Sequence, residues 1–127
     1  MIRHHKKFKE NKLIICVDFD GTLCEHAFPD IGEPKKEIIN SLIELRKLGN
    51  KLILWTCREN NHLEQAKEWC GKQGLEFDAV NHGLECEFTH LGPGRKPYAH
   101  LYLDDKAIHP ETFMDLVKTI NKTLGGT

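Results

Sequence analysis

The sequence lacks the features that mark most specialised classes of protein. No apolar run approaches the roughly 18 residues that a membrane span needs, and there are no repeats or low-complexity segments. The formal net charge is -1 over 127 residues, which is typical of an ordinary soluble protein. This charge does not exclude binding of small anionic substrates. These absences predict a single globular domain over residues 1–127 with no membrane partner.

Cysteine usage and the start of the chain indicate the compartment. The five cysteines are odd in number and include no CxxC pair, which favours free thiols in a reducing environment. The basic segment 1–11 is not followed by the apolar stretch and cleavage site of a secretory leader. We therefore expect a cytoplasmic protein whose basic segment is a solvated tail, with attraction of a polyanion as the alternative.

The stretch 13–24, LIICVDFDGTLC, is the strongest local signal in the chain. Its five leading apolar residues predict a strand buried on both faces, and this strand runs directly into Asp18 and Asp20. Because side chains alternate along a strand, the two carboxylates lean to one side and repel each other unless a cation lies between them. The sequence therefore predicts a functional site at the end of this strand.

The rest of the chain alternates between strands and helices. Pro34 and Gly49 bracket a first predicted helix. Asn61 is the predicted N-cap of a second helix, and Pro110 opens the last one. Further strands are predicted at 51–55, 77–80 and 99–103. The order β-α-β-α-β-loop-β-α predicts a doubly wound α/β sandwich with a mainly parallel sheet.

Polar side chains follow all four predicted strands at their carboxyl ends. Ligands of such sheets bind at this edge, so we expect these side chains to share one crevice. They are Asp18 and Asp20, Thr56 and Arg58, Asn81 and His82, and Asp104 and Asp105. Carboxylates are hard oxygen ligands that suit Mg²⁺, and bound magnesium in turn indicates a phosphorylated substrate.

This crevice contains the groups that phosphoryl transfer needs. Asp18 is the expected nucleophile, which would form an aspartyl-phosphate, and Asp20 is the expected general acid/base. Thr56 and Lys96 are expected to hold phosphoryl oxygens. Further candidates for substrate contact are Gly21, Thr22, Arg58, Asn81 and His82. For Arg58 the alternative is a solvated side chain.

Four segments resemble, in order, the four motifs of the haloacid dehalogenase (HAD) superfamily of phosphohydrolases: VDFDGTL, LILWT, RKP and YLDD. The resemblance covers residues 13 to about 124. It implies a Rossmann-like three-layer sandwich and Mg²⁺ held by Asp18, the Asp20 backbone carbonyl, Asp104 and Asp105. A carboxylate at the position of Asp20 points to phosphatases and phosphomutases within the superfamily.

The resemblance leaves one assignment open and predicts one absence. Lys96 is preferred as the phosphate-binding lysine because it precedes the fourth strand, and Lys106 remains the alternative. The connections 25–33 and 82–95 are too short to hold the cap domain that many members carry. We therefore expect an open site that admits a large phosphorylated partner or is covered by a second subunit.

These observations favour a Mg²⁺-dependent phosphomonoester hydrolase acting on a phosphorylated small molecule or macromolecule. One alternative is a phosphatase of nucleotides or nucleic-acid ends, which would use the basic segment 1–11. Another is a non-catalytic phosphate-binding or regulatory module of the same fold. The acid at Asp20, expected to hydrolyse the intermediate, argues for turnover over this last reading.

Overall fold

The computed structural model describes residues 12–84 and 96–124, with side chains as far as residue 122. Within these ranges the elements are β1 (Ile14–Val17), α1 (Lys36–Lys47), β2 (Lys51–Leu54), α2 (Asn60–Lys72), β3 (Ala79–Val80), β4 (Leu101–Leu103) and α3 (Pro110–Leu124). The predicted alternation of strands and helices is confirmed. Predictions that concern the basic segment 1–11, and most of those on the 82–95 connection, lie outside the described residues.

The four strands form one parallel sheet in the order β3-β2-β1-β4. The chain steps from β1 through β2 to β3 in one direction, and β4 then returns to the other side of β1. The strand order therefore reverses between β1 and β4, which is where open α/β sheets bind their ligands. The predicted α/β class with a parallel sheet is confirmed, and its topology is compatible with a Rossmann-like fold.

Helices α1 and α2 cover the same face of the sheet. The core on this face joins alternate residues of the central strands with the apolar sides of the two helices: Ile15, Val17, Leu52, Leu54, Ile39, Leu42, Ala66 and Cys70. On the opposite face a smaller group of buried residues packs with four partly buried side chains: Cys16, Ile53 and Ala79 with Ile14, Trp55, Leu84 and Ala99. The central strand β1 is thus buried on both faces, as its sequence predicts.

The last strand and helix are far more exposed than this core. Every residue of β4 is exposed, with Leu101 at 44%. Helix α3 begins at Pro110, as predicted, and carries an apolar stripe on which Phe113, Leu116 and Ile120 are 44–48% exposed. The start of α3 is therefore predicted correctly, and the exposure of its apolar side is a finding of the structure.

Two predicted helix boundaries are wrong by one or two residues. Pro34 is not the first residue of α1, because it pairs with Cys24 in an isolated antiparallel bridge and the helix begins only at Lys36. Helix α2 begins at Asn60 after Glu59, so Asn61 lies inside the helix and does not cap it. In the first case a tertiary pairing overrides a local preference for helix.

The connection after β1 is a closed loop. The Cys24–Pro34 bridge and the hydrogen bond from the Glu25 N–H to the Glu33 carbonyl (2.9 Å) bring its two ends together. Residues 25–33 therefore form a short surface loop beside the carboxyl ends of the strands, where the candidate site lies. None of the described helices is long and apolar enough to cross a membrane.

Candidate functional site

Three carboxylates meet where the strand order reverses. Asp18 follows β1, while Asp104 and Asp105 follow β4, and one oxygen of each lies within 4.8 Å of the others. Strand pairing brings them together, because the Asp18 N–H donates to the Leu103 carbonyl at 2.9 Å just before the acid pair. The predicted convergence of these three side chains is thus seen in the structure. We call them the acidic cluster.

Burial, reinforced by neighbouring charges, raises the pKa of Asp18, the most buried member of the acidic cluster. The pKa of Asp18 is raised from 3.8 to about 6, chiefly by burial, with the charges of Asp104, Asp105 and Asp20 adding to the rise and a hydrogen bond from the Phe19 N–H opposing it. Ionised Asp18 is therefore disfavoured by its surroundings. A bound cation would reverse this effect.

The turn at Gly21 and Thr22 joins the two strand ends of the site. Thr22 is buried, and its hydroxyl accepts a hydrogen bond from the Asp105 N–H at 3.1 Å. Gly21 has a φ of +85°, and a side chain there would collide with the Asp105 carboxylate and the His26 ring. Thr22 therefore holds the Asp105 backbone, and Gly21 leaves room for the Asp105 side chain. The predicted contact of both residues with substrate stays a prediction.

His26 is a member of the site that the sequence does not single out. Its Nε2 lies 2.8 Å from Asp105 Oδ2, and this hydrogen bond is the main reason that the pKa of Asp105 is lowered. Lys106 Nζ lies 3.4 Å from the same His26 nitrogen, and the Lys106 N–H donates to Asp104 Oδ1 at 2.8 Å. A lone histidine in a loop of turn-forming residues carries no spacing signal that would have revealed it.

The two candidate lysines occupy different surroundings. Lys96 Nζ lies 4.4 Å from the centroid of the Tyr102 ring, a cation–π contact. Tyr102 points to the face of β4 opposite to Leu101 and Leu103. Lys106, by contrast, lies beside the His26 that contacts Asp105. Both lysines therefore stay candidates for the phosphate-binding role.

Thr56 and Asn81 connect the ends of β2 and β3. The Thr56 N–H donates to Asn81 Oδ1 at 2.8 Å, and Asn81 adopts a left-handed conformation with φ of +57°. The Thr56 hydroxyl accepts from the Arg58 N–H at 3.2 Å. Next along the chain, the ring of His82 is exposed and interacts with the carbonyl of Gly83. Asn81 thus holds the Thr56 backbone in place. The predicted contacts of Asn81 and His82 with substrate stay predictions.

Asp20 is paired with Arg58 and lies outside the acidic cluster. Arg58 Nε donates to Asp20 Oδ2 at 2.9 Å and Arg58 Nη2 donates to Asp20 Oδ1 at 2.8 Å, a bidentate ion pair. Arg58 is only 3% exposed. The alternative of a solvated Arg58 is therefore wrong, because the guanidinium is buried against an acid. The Asp20 backbone carbonyl as a metal ligand stays a prediction.

Comparison with solved structures gives a match over most of the chain. A solved structure of a conserved protein from Bacteroides thetaiotaomicron is 39% identical, covers 86% of this chain and 92% of its own, and superposes with a TM-score of 0.69. The chain belongs to the family of that Bacteroides protein. The match to this family supports the α/β fold described above. No protein-family model matches the chain.

A second match is partial. The chaperone protein HtpG of Wigglesworthia glossinidia brevipalpis is 34% identical over 76 residues, or 58% of this chain. The chain spans only 12% of the length of that curated relative.

The acidic cluster in this member of the Bacteroides family fits a divalent cation by its chemistry. All three donors are carboxylates, and hard oxygen donors of this kind suit Mg²⁺. One oxygen of each carboxylate lies within 4.8 Å of the others, so the cluster concentrates negative charge when these groups are ionised. Asp18, Asp104 and Asp105 are therefore the residues that would hold the ion.

Proposed function

We propose that this protein is a Mg²⁺-dependent phosphomonoester hydrolase of the HAD type that works through an aspartyl-phosphate on Asp18. The observation that carries this proposal is the acidic cluster at the point where the strand order reverses. The motif resemblance and the position of Asp20 in the same turn support it. The loop size of residues 25–33 supports a HAD-like sandwich without a cap inserted at this point.

In the proposed reaction Asp18 attacks the phosphorus of the substrate. A new bond forms between Asp18 Oδ and phosphorus, the bond to the leaving oxygen breaks, and that oxygen takes a proton from Asp20. Water then attacks the aspartyl-phosphate and gives its proton to Asp20, which releases phosphate and restores Asp18. Mg²⁺, when bound, would offset the repulsion between Asp18 and the phosphate.

Phosphate release from p-nitrophenyl phosphate tests this proposal. We expect Mg²⁺-dependent release that chelation abolishes, and an Asp18→Asn variant that is at least about 1,000-fold slower, since removing a nucleophile costs a large factor in rate. Asp115→Asn, an exposed acid on α3, is the matched control and should keep full activity. Activity that is unchanged in Asp18→Asn would overturn the proposal, and a stable phospho-Asp18 without release would favour the regulatory alternative.

A pair of lysine variants identifies the phosphate-binding lysine. Lys106 contacts His26, which in turn contacts Asp105 of the acidic cluster, whereas Lys96 contacts the Tyr102 ring. We therefore expect Lys106→Met to lower kcat/KM by roughly 10-fold to 100-fold, as is usual for a lost charged hydrogen bond, and Lys96→Met to have the smaller effect. The reverse order would support the preference for Lys96 that the sequence suggests.

A further inference from the structure

Arg58 makes more polar contacts than the ion pair with Asp20 alone. Its Nη1 donates to the Pro29 carbonyl at 3.2 Å, and its Nη2 donates to the Asp30 carbonyl at 2.7 Å. The guanidinium carbon also lies 5.0 Å from the centroid of the Phe19 ring and 5.0 Å from that of Phe28. The buried Arg58 guanidinium therefore links Asp20, in the turn after β1, to the 25–33 loop.

The geometry of these contacts fixes the orientation of Asp20. A guanidinium presents its donors in one plane at fixed angles, so a bidentate pair defines both the position and the rotation of the bound carboxylate. Two backbone carbonyls of the loop accept hydrogen bonds from Nη1 and Nη2 of the same guanidinium. Asp20 cannot reorient without either breaking this pair or moving Arg58 against the loop.

The loop is itself held at its two ends and near its middle. The Cys24–Pro34 bridge closes its ends. The Phe28 ring packs edge-on against the His62 ring of α2, with centroids 5.2 Å apart. The loop is thus a defined surface element, and a change in its position reaches Asp20 through Arg58.

We propose that Arg58 is a positioning residue for Asp20, through which the 25–33 loop controls the proton-transfer steps of the reaction. This inference rests on the proposed function. Arg58 holds the same two oxygens that must exchange a proton with the leaving group and then with water. Removal of the guanidinium therefore impairs these proton transfers and leaves the Asp18 nucleophile and the acidic cluster in place.

Leaving groups of different quality separate positioning from general damage. An alkyl phosphate needs a proton from Asp20 to expel its alkoxide, whereas p-nitrophenyl phosphate needs it much less. General acid catalysis contributes roughly 10²-fold to 10⁴-fold. Hydrolysis of the aspartyl-phosphate is common to both substrates, whereas kcat/KM reports the step in which the leaving group departs. We expect Arg58→Lys, which keeps the charge but loses the planar pair of donors, to lower kcat/KM for the alkyl phosphate about 100-fold more than kcat/KM for the aryl phosphate.

Two further variants keep the test decisive. Arg46→Lys removes an arginine fork at the opposite end of the sheet, where it binds Asp78 and Glu76, and should leave the alkyl-to-aryl ratio unchanged. Phe28→Leu alters an exposed ring in the loop that contacts Arg58. If Arg58→Lys does not fold, Phe28→Leu should still shift the ratio in the same direction, by a few-fold.

The outcomes distinguish this inference from the proposed function. A selective fall in alkyl phosphate turnover supports the positioning role. A wild type that is active on both substrates, with ratios unaltered in Arg58→Lys and Phe28→Leu, overturns the role of Arg58 alone. A wild type that releases no phosphate from either substrate in the presence of Mg²⁺ overturns the proposed function, and the positioning role with it.

Discussion

The two ends of the parallel sheet place an aspartate in opposite electrostatic settings. At the amino end, burial alone would raise the pKa of Asp78, but a hydrogen bond from the Leu52 N–H and the Arg46 guanidinium together lower it. At the carboxyl end, burial and neighbouring carboxylates raise the pKa of Asp18 to about 6. One aspartate is stabilised as an anion by its surroundings, and the other is not.

This contrast separates an acid that stabilises the fold from an acid that belongs to a site. Asp78 satisfies a backbone N–H of β2 at 2.8 Å and an arginine at 3.1 Å, so the folded chain gains from its charge. Asp18 is held beside two further acids by strand pairing, which costs stability when it ionises. Such a cost is typical of residues retained for function.

The largest expected effect on stability comes from removing the favourable acid. Asp78→Ala removes the acceptor of the Leu52 N–H and of Arg46 Nη2. A buried polar group left without a partner costs about 1–3 kcal/mol of stability. We expect urea denaturation to show a loss near the top of that range. Glu76→Ala removes the exposed partner of the same Arg46 and should cost less than about 1 kcal/mol. Equal losses in the two variants would contradict the role assigned to Asp78.

Removing the unfavourable acid should have the opposite sign. Asp18→Asn keeps the shape of the side chain but eliminates its charge from the acidic cluster. In Mg²⁺-free buffer at pH 7 we expect a gain of about 1–2 kcal/mol, after allowance for solvent screening of a half-buried group. Denaturation of Asp115→Asn, an exposed acid on α3, gives the baseline. A loss of stability in Asp18→Asn would mean that burial and the neighbouring carboxylates do not disfavour the Asp18 charge.

The smallest expected effect is a difference in pH dependence. Asp18 has a folded pKa of about 6 and an ordinary value of 3.8, so the folded state holds the extra proton between them and stability falls as the pH rises through this window. The advantage of Asp18→Asn should therefore shrink from pH 6 to pH 4. The folded pKa of Asp78 is lowered, so its contribution is present above the unfolded value and is lost as the pH falls through the folded value. Denaturation at several pH values without Mg²⁺ measures both, and parallel profiles would refute the contrast.

Much of the fold and of the acidic cluster is predictable from the sequence. One buried strand runs into Asp18, and a second strand ends in Asp104 and Asp105. If the two strands are parallel and adjacent, these acids must lie together at the carboxyl ends of the strands. Parallel pairing of β1 with β2 and of β2 with β3 follows from the helical connections between them. The pairing of β4 with β1 follows instead from the expected parallel sheet. The structural role of Asp78 is likewise predictable, because it lies at the entering end of β3.

The Arg58–Asp20 pair was not predictable in the same way. The sequence places Asp20 and Arg58 at the ends of neighbouring strands, but which acid the guanidinium binds depends on the turn after β1 and on two backbone carbonyls of the 25–33 loop. His26 was missed for the same reason, since its approach to Asp105 depends on the path of that loop. Positions set by strand periodicity can be predicted, whereas positions set by loop geometry cannot.

The exposure of β4 has a consequence for local unfolding. β4 lies at one end of the sheet order, pairs with β1, and carries three exposed side chains, whereas β1 is buried on both faces. Its amide hydrogens should therefore exchange with solvent well before those of β1. The acidic cluster has members after both strands, and these strands differ in local stability. A cation held by Asp18, Asp104 and Asp105 would therefore link the outer strand β4 to the central strand β1. Opening of β4 and release of the cation would then be one event.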